Sequence, residues 1–260
     1  SHLQDCEGDD RKQFGLPFGQ ETLINDIVAV NQNVGFVLVT GNAVAMPWLK
    51  KVKGVIQTWY LGSMAGHAIA DVISGAVNPS GKLPFTFPIK LEDNAAHSFG
   101  EISYPGIDMT QQYKEDILVG YRWHDTKEIK PLYAFGYGLS YTSFKVSNIE
   151  IDKKTYTKEA SINVSCTVKN IGNIDGAEVI QIYIGKSKSK VKRALKELKG
   201  FQKVKLKSGE KSNINIEIPV NSLAFYDETI SDWNLEKGDY IIYVGNAANN
   251  IFKKKTFSVK

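Results

Sequence analysis

Residues 144–260 alternate between apolar and polar side chains with a period of two, and no other feature constrains the fold as strongly. Such alternation is typical of strands that pack one face against a core and expose the other. The clearest alternating positions are Ile162, Val164, Cys166 and Val168, then Ile180, Ile182 and Ile184, then Ile214, Ile216 and Ile218. About seven such strands with turn residues between them predict an all-β sandwich of the immunoglobulin-like or fibronectin III-like kind.

The first half of the chain has a different pattern, with two short apolar runs at 36–39 and 55–60. Continuous apolar runs are typical of strands covered on both faces, as in a parallel sheet. A helical pattern at 19–30 precedes the first run, and another begins near Ser63 and ends at Gly75. Helix, strand, strand and helix predict an α/β unit with a partial parallel sheet, because two strands are fewer than such sheets usually have.

Each of the two predicted helices carries an apolar stripe, and we expect the stripe of the second helix to be buried. Residues 89–115 are irregular and polar, which predicts a loop that covers another surface of the protein. The two stripes are Leu23, Ile24, Ile27 and Val28 in the first helix, and Met64, Ala68, Val72 and Ile73 in the second.

The charge changes sign along the chain. Residues 1–141 carry 11 Lys+Arg and 15 Asp+Glu, whereas residues 142–260 carry 21 and 13. Such a change at one place indicates two independently composed units. We therefore predict an α/β unit at 1–141 and a β-sandwich at 142–260.

Composition and spacing exclude several classes of protein. Two cysteines are too few for a disulfide scaffold or a four-cysteine zinc site, and the four histidines lack metal-ligand spacing. No apolar run approaches the roughly 20 residues of a membrane-spanning helix. The basic run 186–207 lacks interleaved aromatic residues, which favours a lysine-rich exposed strand edge over nucleic-acid binding. We expect no metal, cofactor, nucleic acid or membrane partner.

One segment near the start groups chemically useful side chains. Glu7, Asp9 and Asp10 stand beside Arg11 in a glycine-containing loop. Crowded carboxylates shift one another's pKa values, which is how a general acid is made, although a solvated acidic loop has the same composition. Cys6 lies next to this loop and Cys166 lies in the other unit, so we expect no disulfide between them.

The tryptophans allow two interpretations. Trp48, Trp59 and Trp123 could line a sugar-binding site, or they could belong to the core of the first unit. The sequence does not decide between these interpretations.

Several segments, in this order along the chain, resemble the C-terminal part of glycoside hydrolase family 3, the β-glucosidase and β-xylosidase family. Each segment is a weak signal, but together they span nearly the whole chain. They are Glu7–Arg11 (EGDDR), GNAV at 41–44, WYLG at 59–62, NPSGKLP at 78–84, YRW at 121–123, FGYGLSY at 135–141, ELKGF at 197–201 and GDY at 238–240.

The resemblance implies a multidomain enzyme. In that family a (β/α)8 barrel carries the nucleophilic aspartate, an α/β sandwich domain follows, and a fibronectin type III-like domain ends many members. The chain resembles the last part of the α/β domain plus the fibronectin-like domain, without the barrel. Glu7 then corresponds to the general acid/base, and Arg11 anchors its loop through Asp9 or Asp10. Asp232 follows Ser231 as in the nucleophile motif, but it lies inside the predicted sandwich and is rejected as nucleophile.

The leading hypothesis is therefore a retaining, exo-acting β-glycosidase, specifically a β-glucosidase, acting on oligosaccharides or glycosides. The chain would supply the acid/base loop, need its barrel to be active, and belong to an extracytoplasmic parent protein. A non-catalytic module that binds carbohydrate or a partner protein is the alternative. A nucleotide-binding α/β protein is disfavoured because no glycine-rich phosphate loop follows either strand. The sequence assigns no substrate-binding residues. Ala194 stands where family members often have proline, which is a minor difference in a loop that we expect to be exposed.

Overall fold

A computed structural model of the protein describes residue 11 and residues 13–260. Its helices are α1 (Gln20–Val30), α2 (Ala65–Ser74) and α3 (Tyr121–Thr126). None of the described helices has the length and apolar character required to cross a lipid bilayer. The strands are β1 (Gly35–Leu38), β2 (Gly54–Gln57), β3 (Phe144–Ile151), β4 (Thr155–Tyr156), β5 (Ser161–Asn170), β6 (Gly176–Lys186), β7 (Glu197–Leu206), β8 (Lys211–Pro219), β9 (Phe225–Asp227), β10 (Asp232–Asn234), β11 (Gly238–Ala247) and β12 (Asn250–Val259).

The first half contains a two-stranded parallel sheet. Strands β1 and β2 pair in register from Gly35 opposite Gly54 to Leu38 opposite Gln57. A core beside this sheet includes the fully buried side chains of Trp48 and Phe87. The partial parallel α/β architecture predicted from the two apolar runs is confirmed.

The two predicted helices form, but most of their apolar stripes are not buried. In α1 only Ile24 is buried, and Leu23 keeps 58% of its surface exposed. No residue of α2 is buried, and its Ile73 is 60% exposed. Met64, directly before the helix, is 61% exposed. The prediction that the stripe of the second helix is buried is therefore wrong. The sequence period shows which face of a helix is apolar. Burial also requires an opposing surface, and the two strands among the described residues of this half are too narrow to supply one.

The second half is an antiparallel β-sandwich, as predicted. One sheet has the order β3-β5-β8, and the other has the order β4-β12-β11-β6-β7. Neighbouring long strands are antiparallel, and short β4 pairs with β12 in parallel. The alternating apolar positions of both sheets meet in one core, in which Ile162, Ile182 and Ile242 are fully buried. The period-two pattern predicts this sandwich correctly because the apolar face of each sheet packs against the apolar face of the other.

Cys166 belongs to this core. The thiol is buried, and burial raises its pKa to about 11. A thiol in such surroundings acts as a small apolar side chain. Cys6 lies outside the described residues, so the prediction that the two cysteines are unpaired stays a prediction.

The basic run at 186–207 has two different environments. Strand β7 is an edge strand of its sheet and exposes Lys203 and Lys205, as expected for a lysine-rich edge. In the loop before β7, however, Lys196 and Ala194 are buried against the first half of the chain. The expectation that this loop is exposed is wrong, because a contact between distant segments covers it.

Two motif segments meet where the halves join. Lys82 Nζ donates to the Gly138 carbonyl at 2.8 Å and pairs with Glu178 of β6 at 2.7 Å. Asn78 Oδ1 accepts from the Tyr141 amide at 2.8 Å. The backbones at Gly81 and Gly138 approach so closely that a Cβ on Gly138 would overlap the Gly81 carbonyl oxygen. The glycine at position 138 is therefore required by the packing of these two segments.

We predict that Gly138→Ala lowers the free energy of unfolding by about 2 kcal/mol, the range of overpacked sites. Gly81→Ala is the matched control, because a Cβ there meets no heavy atom within 4 Å. We expect the control to change stability by less than about 0.5 kcal/mol. Urea unfolding of both variants measures the difference, and equal stabilities would contradict the close approach.

We predict that residues 142–260 fold when produced alone, because their main core is built entirely from residues within that range. The midpoint of thermal unfolding should be lower than in the 260-residue chain, since Tyr183 and Tyr243 lose the first half that covers them. Circular dichroism during heating tests this. A sandwich without a cooperative transition would argue against an independent domain at 142–260.

Candidate functional site

In the first half, the carboxyl ends of β1 and β2 form the sheet edge where a ligand site is most expected. Ligand sites in open parallel sheets lie at this edge, where the loops after the strands come together. Gln57 Nε2 donates to the Thr40 carbonyl at 3.2 Å, which links the two strand ends. Thr58 Oγ1 donates to the Leu38 carbonyl at 2.9 Å. These side-chain bonds fix the start of both loops.

The backbone after β2 has an unusual conformation. Trp59 has a φ of 57°, which is uncommon for a bulky residue and concentrates at functional sites. Its ring packs against Phe85 and Phe87 at centroid distances of 5.4 and 6.0 Å. The next residue, Tyr60, packs over Gly41 of the loop after β1, where an added Cβ would lie 3.0 Å from the ring. Aromatic packing thus holds the two loops together.

Arg11 reaches this same edge. Its guanidinium Nη2 donates to the carbonyl of Ala43, in the loop after β1. Asn42 Oδ1 accepts from the Ala43 amide at 2.9 Å and shapes that loop. Of the predicted site residues, Glu7, Asp9 and Asp10 lie outside the described residues. The structure therefore locates only the Arg11 end of the predicted loop, beside the carboxyl end of β1.

A cavity of about 170 Å³ lies next to Arg11. Three segments form its walls: the one around Arg11, the loop after β1, and residues 85–104. Segment 89–115 was predicted to cover another surface, and its first part forms one wall. The lining residues are Arg11, Gln13, Phe14, Asn42, Ala43, Phe85, Thr86, Pro88, Leu91, Asn94, His97 and Tyr104.

The cavity wall formed by segment 85–104 contains polar atoms that are not accessible to solvent. Thr86 Oγ1 and His97 Nδ1 are buried and have no hydrogen-bond partner among the residues that the structure describes. The rings of His97 and Tyr104 are 4.7 Å apart. Burial lowers the pKa of His97, and the nearby Glu92 carboxylate opposes that shift. The wall therefore favours a neutral imidazole.

A larger open groove, about 480 Å³ in volume, lies between α1 and residues 50–53. It is lined by the side chains of Lys50, Lys51 and Lys53, among others. This groove lies at the amino end of β2, opposite the edge where parallel sheets bind ligands. The smaller cavity at the carboxyl end is the stronger candidate.

The tryptophans do not line the candidate cavity. Trp48 and Trp123 are buried, and half-buried Trp59 packs on phenylalanines. The core interpretation is therefore correct for Trp48 and Trp123. The sequence does not predict that His97 and Tyr104 line this cavity, because no periodicity marks their irregular segment.

Comparison with known proteins identifies both halves. The model of the glycosyl hydrolase family 3 C-terminal domain matches residues 1–141. The model of the fibronectin type III-like domain matches residues 178–248. The chain belongs to glycosyl hydrolase family 3. The resemblance seen in the sequence motifs and the predicted fold class are thereby confirmed.

Similar proteins match this family 3 chain over nearly its whole length. Beta-glucosidase BoGH3A of Bacteroides ovatus is 50% identical over 99% of the chain, which covers 34% of that protein. An exo-alpha-(1->6)-L-arabinopyranosidase of Bifidobacterium breve is 38% identical over 98% of the chain, which covers 33% of that protein. The chain thus spans about a third of the length of these relatives.

A solved structure has the same fold. It is DesR, a beta-glucosidase from Streptomyces venezuelae in complex with D-glucose, with a TM-score of 0.93 and 38% identity. The match covers 98% of this family 3 chain and 32% of the DesR chain. The match therefore includes both the α/β half and the β-sandwich.

We predict that His97 titrates below the usual value of about 6.5 for histidine, because burial disfavours its charged form. The unfolded chain then binds the proton more tightly than the folded one. This histidine should therefore reduce the free energy of unfolding as the pH falls through about 6.5 toward the folded-state pKa.

NMR titration of histidine-labelled chain, with His97→Gln to assign the signal, measures the pKa directly. Urea unfolding at several pH values should show a smaller loss of stability below pH 6.5 in the variant. A His97 pKa at or above the ordinary value would contradict the burial described for this cavity wall.

Proposed function

We propose that the chain is the C-terminal part of a retaining, exo-acting β-glucosidase that removes terminal β-linked glucose from oligosaccharides or glycosides. The observation that carries this proposal is the 50% identity to beta-glucosidase BoGH3A over 99% of the chain. Because the match includes both halves, it favours the hydrolase over a separate carbohydrate- or partner-binding module.

In this proposal Glu7 is the general acid/base. A retaining glycosidase needs one carboxyl group to protonate the leaving oxygen and later to activate water, about 5–5.5 Å from a nucleophilic carboxylate. The contact of Arg11 with the Ala43 carbonyl supports the role, because Glu7 is only four positions away along the chain. We propose that Arg11, together with Asp10, supports the loop that carries Glu7.

The nucleophile is proposed to come from a barrel domain elsewhere in the same protein. Two observations support a partner for the α/β half. The relatives are about three times as long as the chain, and large apolar side chains such as Leu23 of α1 and Ile73 of α2 are exposed. Exposed apolar surface of this kind marks interaction sites. On this view, the 260-residue chain alone does not hydrolyse glycosides.

Asp232 does not replace that nucleophile in the proposal. It begins β10, which pairs with β9 in a hairpin of the sandwich, and its Oδ1 accepts from the Trp233 amide at 2.7 Å. The candidate edge belongs to the other half of the chain. The proposed mechanism therefore uses a carboxylate from outside the chain.

Selection of the sugar is proposed to depend mainly on the barrel. Relatives named for two different sugars, a beta-glucosidase and an arabinopyranosidase, match almost the same part of this chain. A C-terminal part that both relatives share is suited to general acid/base chemistry, which does not depend on the sugar, rather than to distinguishing the two sugars. We further propose an extracytoplasmic, periplasmic or secreted, parent enzyme, from the family resemblance alone.

The test is Glu7→Ala in the complete gene product. Cellobiose has a poor leaving group that needs protonation, so its hydrolysis should fall by about 10²–10⁴-fold. The first step on a dinitrophenyl β-glucoside should fall much less, and the glycosyl-enzyme should then accumulate for lack of a base. Azide should restore turnover and give a β-glucosyl azide, measured by stopped-flow absorbance and mass spectrometry.

Asp9→Ala is the matched control in the same loop. It should change both substrates by similar factors and show no azide rescue, since it removes no proton donor. If Glu7→Ala slows both substrates equally and azide has no effect, Glu7 is not the acid/base.

A further inference from the structure

Lys196 is an unusual residue, because it is a lysine with only 4% of its surface exposed. Its ammonium forms an ion pair with Asp125 of α3. It also lies over the rings of Tyr183 and Tyr243, at 5.6 and 5.9 Å from their centroids. Lysine is almost never buried unless it is paired, and here both the carboxylate and the aromatic faces compensate the charge.

This ion pair connects the two halves of the chain. Lys196 lies in the sandwich, in the loop before β7, whereas Asp125 lies in the first half. Burial raises the pKa of Asp125, and the hydrogen bond from Lys196 opposes that shift. A partly buried pair of this kind loses much more from removal of one partner than an exposed pair does.

Two hydrogen bonds hold α3 beside the ion pair. The Leu198 amide donates to the Tyr121 hydroxyl at 2.8 Å, and the Leu195 amide donates to Thr126 Oγ1 at 3.2 Å. Tyr121 is the first residue of α3 and Thr126 is the last. The short helix is therefore fixed to the sandwich at both ends, with the ion pair between.

The remaining face of α3 holds the segment that leads to the candidate site. Trp123 packs edge-to-face on Phe99 at 5.6 Å. Phe99 ends a single 3₁₀ turn that begins at His97. Trp123 also shares a small apolar cluster with Ala95 and Leu118. The position of this turn thus depends on the position of α3.

That turn is part of the cavity wall. Asn94, His97 and Tyr104 line the same cavity as Arg11. A connected path therefore leads from Lys196 to Asp125, along α3 to Trp123, across to Phe99, and along the 3₁₀ turn to His97 in the cavity wall.

We propose that Lys196 is a positioning residue, which acts through α3 on the wall of the cavity that Arg11 also lines, and that proton transfer at this site depends on that wall. The proposal rests on the proposed function, in which Glu7 transfers the proton. Proton transfer depends strongly on geometry, and a displacement of about 1 Å from a remote mutation can cost about 100-fold in rate. The sandwich then contributes to catalysis without contacting the substrate.

Lys196→Met in the complete gene product tests this, with kcat/KM measured for cellobiose and for a dinitrophenyl β-glucoside. The rate ratio of the two substrates does not depend on how much enzyme is folded. We expect the value for cellobiose to fall at least about 10-fold further than that for the aryl glucoside, because only cellobiose needs a well-placed acid. Asp125→Asn should shift the ratio in the same direction, and Lys196→Arg, which keeps the charge, should largely preserve it.

Lys192→Met is the matched control. Lys192 lies in the same loop and also pairs with the first half, at 3.1 Å from Asp116, but the two side chains are 52% and 54% exposed. The ratio should not change in this variant. If Lys196→Met does not fold, Asp125→Asn and Lys196→Arg provide the same comparison.

Equal losses for both substrates in the Lys196 and Asp125 variants would overturn the positioning role, since they would indicate only a smaller folded fraction. Glu7→Ala separates this failure from failure of the proposed function. If Glu7→Ala slows cellobiose hydrolysis more than aryl glucoside hydrolysis and the Lys196 variants do not, only the positioning role is wrong. If Glu7→Ala also slows both substrates equally, the acid/base assignment fails.

Discussion

The outward side of strand β6 is buried by the first half of the chain, and the arrangement of the two halves depends on this contact. Tyr183 is fully buried although it lies outside the main core of the sandwich. Tyr121 packs edge-to-face against it at 5.6 Å, and Phe135 stacks on Tyr121 at 4.9 Å. Burial raises the pKa of the Tyr183 hydroxyl, which donates to Gln181 Oε1. An aromatic contact of this kind combines a large buried area with a specific geometry, and it defines where α3 lies.

The two halves differ in how completely they bury their own apolar surface. In the sandwich, two sheets supply faces to each other, and one core takes up nearly all of the alternating apolar positions. In the α/β half, a two-stranded sheet leaves most of α1 and α2 uncovered. The half that holds the candidate site thus has apolar surface available for another domain, which agrees with the proposal that a barrel domain supplies the nucleophile.

The candidate site was predictable from the sequence only in part. The sequence predicts an acidic loop with Glu7, Asp10 and Arg11, of which the structure locates only Arg11, beside the carboxyl end of β1. The part of the cavity wall with His97 and Tyr104 is not predicted by the sequence. Its residues come from an irregular segment whose position depends on Trp123 and Phe99 rather than on any local periodicity.

The sequence by itself determined the local structure: the alternating strands, the two helices with their apolar stripes, the parallel strand pair and the family motifs. These follow from short-range periodicity and turn chemistry, which each segment carries alone. Only the tertiary structure decided which apolar faces are buried, that Lys196 pairs with Asp125, and that segment 89–115 lines a cavity. Burial and pairing join residues that are distant in the chain, so they depend on a partner surface that no local pattern contains.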